Sequence, residues 1–178
     1  MKARKGFSDR VERWLARIPG VRTYRDREHR RETDKQLREH LASQLQEART
    51  QLKGTILDLS KKGQLDLLEE LDRLSSRIQQ MADSIRYASY GYSGIFDLEK
   101  IREEELDRIY SVDLSLVDDL DGIRAKVAEL GSQTSPEKRK TMAEEAFDLL
   151  DVLEKNFRQR NDFLTRPPDP VMKIRAIE

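Results

Sequence analysis

The chain contains no cysteine, which excludes disulfides, thiolate metal sites and thiol nucleophiles, and fits a reducing compartment. Apolar runs are short. None approaches the roughly 18 residues that a membrane-spanning helix requires. Charges recur throughout the first 20 positions, so no signal-peptide core is expected there. Histidine is scarce, with only His29 and His40, and aromatics make up only 6% of the 178 residues. Proline (five) and glycine (eight) fall mostly outside the periodic segments, so little interrupts helix where helix is signalled.

What is abundant is charge. Asp, Glu, Lys and Arg make up 38% of the chain, and the mean hydropathy is −0.81. Such values suit disorder or long solvated helices, and periodicity separates the two. Leu67, Leu71, Leu74, Ile78, Met81, Ile85 and Ala88 step by fours and threes, the spacing of a heptad seam. Leu37, Leu41, Leu45, Ala48, Leu52, Ile56 and Leu59 do the same in a helix running from about Thr23–Asp26 to Ser60. The first dozen residues of that helix lack an apolar stripe and are expected to project from the body or fray. Lys61-Lys62-Gly63 reads as its stop, with cations at the helix end and glycine in the left-handed cap.

A fourth helix is expected from Ile95 to Leu130, with Leu98, Ile101, Ile109, Val112, Leu116, Leu120, Ile123, Val127 and Leu130 as its stripe. Ser135-Pro136 opens a fifth, striped by Met142, Ala146, Leu149, Leu153 and Phe157 and reaching Leu164. Pro167-Pro168-Asp169-Pro170 ends it. The expected fold is therefore all-α: long antiparallel amphipathic helices in a bundle or coiled coil. A helical body over 21–165 lies between a separate short N-terminal helix over 1–20 and a C-terminal tail over 166–178. Heptads leave open whether the seams close within one chain or between chains.

Zero net charge hides an asymmetry. Residues 1–31 hold eleven basic and four acidic residues, a net of +7, and the remainder carries −7. Within the basic head, Phe7, Val11, Trp14, Leu15 and Ile18 share one helical face, with Arg10, Arg13 and Arg17 opposite, and Pro19-Gly20 ends the segment. A Trp and a Phe beside aliphatics, flanked by cations, fit a helix lying in the plane of an anionic membrane. The same face also suits packing on the bundle or on another subunit. Nucleic acid is disfavoured because acids interleave the basic residues and the body is acidic.

Signals for catalysis and cofactors are weak. A di-iron bundle site needs two Glu-x-x-His pairs and two further carboxylates. Here His29 follows Asp26 by three, and His40 follows Leu37. Glu103-Glu104-Glu105 and Asp118-Asp119-Leu120-Asp121 lack the spacing and glycine pivot of a calcium loop, and read as solvated faces. No nucleophile elbow or phosphate loop is present. The expectation is a non-enzymatic protein without metal or cofactor. The stretch Tyr87-Ala88-Ser89-Tyr90-Gly91-Tyr92-Ser93-Gly94 holds three of the five tyrosines. Tyr87, Tyr90 and Tyr92 either plug the bundle end with their rings or form a tip that docks a partner.

Ile18-Pro19-Gly20 with Tyr24, the Arg86–Asp97 stretch, and Arg102-Glu103-Glu104-Glu105-Leu106-Asp107-Arg108-Ile109-Tyr110 resemble a family of uncharacterised bacterial helical proteins over about residues 18–130. The resemblance implies a bacterial cytoplasmic protein and supplies no activity. A short amphipathic helix ahead of long coiled-coil helices is also similar in layout to the PspA-like membrane-remodelling proteins, an architectural analogy alone. The sequence thus leads to a scaffold or adaptor that self-associates through its helical body. It would attach peripherally, at the inner face of the membrane, by its N-terminal helix. The alternative is a soluble assembly module whose basic head docks on the acidic helices of a partner or neighbouring copy.

Overall fold

The computed structural model describes residues 27–88, 95–98 and 101–165. A single 3-10 turn, Arg27–His29, leads into α1, Arg30–Lys61. Then follow α2 (Leu68–Arg86), a 3-10 turn at Ile95–Asp97, α3 (Glu103–Ser132) and α4 (Pro136–Thr165). Among the described residues no strand occurs. The fold is an all-α four-helix bundle whose apolar seams close within one chain. Leu37, Leu45 and Leu52 of α1, Leu71, Leu74, Ile78 and Ile85 of α2, Leu116, Ile123 and Leu130 of α3, and Ala146 and Leu153 of α4 are all inaccessible to solvent.

Two helical hairpins make up the bundle. Gln46 hydrogen-bonds Gln79, and Arg38 donates to the carbonyl of Arg86, so α1 and α2 run antiparallel. Likewise Lys126 pairs with Glu145, Asn156 donates to Asp119, and Arg108 stacks on the Phe163 ring, aligning α3 antiparallel to α4. The hairpins pack side by side: α1 against α3 and α2 against α4, leaving α1 and α4 across one diagonal and α2 and α3 across the other. Thr55 faces Gly131 near the ends of α1 and α3, and Arg139 donates to Gln64 near the starts of α4 and α2. Both short turns therefore sit at one end, here the turn end. Entry into α1, the end of α2, the start of α3 and the exit from α4 share the other, the open end.

Local chemistry explains the boundaries. Helix α1 stops in a Schellman arrangement, in which Gln64 N–H reaches the Leu59 carbonyl and Gly63 N–H the Ser60 carbonyl. Gly63 takes φ +70°, a conformation that a β-carbon disfavours, as Lys61-Lys62-Gly63 predicts. Ser135 opens α4 by accepting from the N–H of Lys138, with Pro136 in the first turn. Glu105 reaches back to the backbone N–H and guanidinium of Arg102 at the head of α3.

Three sequence expectations need correction. Helix α3 begins at Glu103, not near Ile95; Ile95 and Phe96 instead form a buried 3-10 turn that packs into the core. Leu98 and Ile101 consequently lie outside the helix. The buried stripe of α4 runs Ala143, Ala146, Leu150, Leu153 and Phe157, so Met142 and Leu149 pack at its flank. Finally, the start of α1 does not project: Arg30, Thr33 and Asp34 are buried. Their burial is polar rather than apolar, and that is the feature of most interest.

Candidate functional site

Near the open end the apolar seam gives way to a layer of charge. Arg30 (1% exposed), Asp34 (2%), Asp113 (0%) and Arg160 (1%) occupy positions that the 3–4 stepping assigns to the core. Helix α1 presents Arg30, Asp34 and Arg38 on successive turns. Asp113 lies between Ile109 and Leu116 in α3, and Arg160 follows Phe157 by three in α4. The helices that bury leucine elsewhere therefore bring these groups together.

Arg160 is the hub. Its Nε donates to Asp113 Oδ1 at 2.5 Å, and one terminal nitrogen donates to Asp34 Oδ1 at 2.7 Å. The second bond crosses the bundle diagonal from α4 to α1. The other Asp34 oxygen accepts from Arg38 Nε at 2.9 Å, and Arg38 also donates to the Arg86 carbonyl at 3.0 Å. Arg30 donates to the Leu98 carbonyl at 2.5 Å and faces that of Phe96 at 3.5 Å. One layer thus ties all four helices and the connection that precedes α3. Planar guanidinium groups suit this task because they stay protonated and present several donors in a fixed fork. Buried charges are tolerated when they are paired or hydrogen-bonded: Asp34, Asp113 and Arg160 are ion-paired, and Arg30 is held by carbonyls. The layer is sealed from solvent, and its bonds run between helices.

A second, weaker set of contacts lies at mid-height. Arg77 of α2 bridges to Asp151 at 2.9 Å and to Glu154, both on α4, beside a shallow groove lined by Asp72, Arg73, Ser76, Gln80 and Phe147. The hydrogen bond from Arg77 holds Glu154 below its ordinary carboxylate range. Between α3 and α4, burial pushes Asp119 up, against the opposing effect of the hydrogen bond from Asn156. No group of three or more His, Cys, Asp or Glu side chains converges to hold a metal ion among the described residues.

Of the predicted binding residues, the structure describes Tyr87. Phe7, Arg10, Val11, Arg13, Trp14, Leu15, Arg17 and Ile18 lie outside the described residues, as do Tyr90 and Tyr92. Tyr87, at the end of α2, is 74% exposed, so its ring plugs nothing; Ile95 and Phe96 fill the bundle end instead. His29 and His40 are half-buried on α1 and its leading turn. Sequence reasoning missed the ionic layer altogether. Its signal is present: counting back from Leu37 by three and then four reaches Asp34 and Arg30, and counting on from Phe157 by three reaches Arg160.

No described helix is long and apolar enough to cross a membrane. Comparison with protein-family models, with curated proteins and with solved structures gives no match, so the functional reading rests on this chain's own residues.

Proposed function

We propose that this protein is a non-enzymatic scaffold or adaptor that attaches peripherally to an anionic membrane surface through its N-terminal helix. The observation that carries the reading is the chain's entry into the bundle. Residues 1–31 hold a net charge of +7, and near the end of that segment Arg30 is buried and bonded to the Leu98 carbonyl. The basic segment thus leads into a helix that is fixed in the bundle from Arg30 onward.

In this reading Phe7, Val11, Trp14, Leu15 and Ile18 enter the headgroup boundary while Arg10, Arg13 and Arg17 hold lipid phosphates. Each cation near an anionic surface contributes about 1 kcal/mol, screened by salt. Because the apolar seams close within the chain, self-association or docking of a helical partner uses outer faces, with exposed Tyr87 and its neighbours Tyr90 and Tyr92 as the candidate contact.

The test is co-sedimentation with vesicles of phosphatidylglycerol and phosphatidylcholine, comparing the full chain with one starting at Val21, at low and moderate salt. Binding that requires residues 1–20, weakens with salt and is absent on pure phosphatidylcholine supports the anchor. Absence of binding by the full chain removes it and leaves a soluble assembly module, with the basic head docked on acidic helices.

A further inference from the structure

Leucine-rich seams bury apolar area well but choose alignments poorly. Sliding one hairpin along the other by a heptad, about 10.5 Å at 1.5 Å per residue, sets leucine against leucine again. Such a slip leaves an overhanging apolar stretch at each end of the bundle, which a second copy of the chain is well suited to cover. Something other than apolar burial must reject it.

The contacts between the hairpins differ greatly in how well they perform that task. Arg77 is a third exposed, and its bridges to Asp151 and Glu154 are rim contacts of small worth. Arg139 donates to Gln64, a neutral partner in a turn. Among the described residues, an ion pair is sealed in the core only at the open end, where Arg160 of one hairpin meets Asp34 of the other across the diagonal. After a one-heptad slip, Arg160 would face Leu41 in one direction and Asp34 would face Leu153 in the other; Arg160 keeps Asp113 and Asp34 keeps Arg38 within their own hairpins, but the bond between the hairpins is lost. A buried charge tolerates the loss of one of its partners poorly, because part of its desolvation cost is then uncompensated. Arg30 adds a second constraint, since its carbonyl partners at Phe96 and Leu98 lie in the connection rather than in a repeating helix.

We propose that this ionic layer is a register key: it contributes little to stability but limits the two hairpins to one alignment, and so keeps the chain from pairing out of register with other copies. The inference is independent of membrane attachment. A buried ionic set can be replaced by apolar side chains of similar volume without loss of stability. The key can therefore be removed while the core remains.

The experiment uses the full chain carrying Asp34→Leu, Asp113→Leu and Arg160→Met together. Circular dichroism reports helicity and thermal midpoint, analytical ultracentrifugation the mass distribution, and amide NMR the number of conformers. The expected result is helicity and midpoint equal to or above wild type, with the single wild-type species replaced by several whose proportions change with concentration. A variant that keeps one species and one set of amide peaks overturns the proposal. So does loss of helicity, which would show that the layer supports stability rather than choice. Asp34→Asn with Asp113→Asn keeps the side-chain shapes and removes the two carboxylate charges that pair with Arg160; it too should show more than one species, and a single one would count against the key.

Discussion

Replacing Arg160 alone should be far more damaging than replacing the whole layer. In Arg160→Met the aliphatic stem and most of the volume survive, but the carboxylates of Asp34 and Asp113, 2% and 0% exposed, lose the guanidinium between them. Breaking a buried ionic set in this way costs about 3–5 kcal/mol. A domain of this size has a total stability of roughly 5–15 kcal/mol. At about 2–4 °C of midpoint per kcal/mol, the thermal midpoint should fall by roughly 6–20 °C. Urea unfolding followed by circular dichroism measures the loss directly, and an unchanged m-value would show that the same surface is exposed on unfolding. Arg158→Met is the internal control. That arginine lies two residues earlier on the exposed face of the same helix, pairs with partly exposed Glu154, and should change stability by less than about 1 kcal/mol. A loss for Arg160→Met no larger than its control would refute the reasoning, because it would mean that the buried carboxylates find water or other partners at little cost.

The remaining expectations concern the scaffold. Gly54 lies inside α1, exposed, with no atom within 4 Å of the place a β-carbon would take, so Gly54→Ala should stabilise by up to about 1 kcal/mol in urea unfolding. Gly63→Ala has as much space but φ +70°, and should destabilise by about 1 kcal/mol, the same substitution with the opposite sign. Glu154 has a lowered folded-state pKa because Arg77 hydrogen-bonds its carboxylate. Its contribution is therefore present above the unfolded value of about 4.3 and lost as pH falls through the folded value. Wild type should lose more stability than Arg77→Met between about pH 5 and pH 3, measured by urea unfolding across that range.

Legibility followed chemistry. Helix α2 is readable because every seam position from Leu71 to Ile85 is apolar, so period and identity agree. The stop at Gly63 and the opening at Ser135-Pro136 are readable because local hydrogen-bonding groups specify them. The start of α3 is not. Ile95, Phe96, Leu98 and Ile101 look like helix, yet tertiary packing of the first two as a plug overrides the pattern. The ionic layer was lost for a different reason. Arg30, Asp34, Asp113 and Arg160 keep the helical period but break the apolar identity, and a reader matching hydrophobic residues discards them. Their partners lie as far as 126 positions away in sequence, so no local window pairs them. The binding face proposed for residues 7–18 rests on periodicity and charge in the sequence.

That face carries its own reporter, since Trp14 is the only tryptophan in the chain. The most direct test of the account is the emission of Trp14 as vesicles containing phosphatidylglycerol are added to the full-length protein. A shift to shorter wavelength that saturates with lipid, reverses with added salt and does not occur with phosphatidylcholine alone is the predicted result. Emission that is already short-wavelength without lipid, and unmoved by anionic vesicles, would place the indole against protein and contradict the membrane anchor.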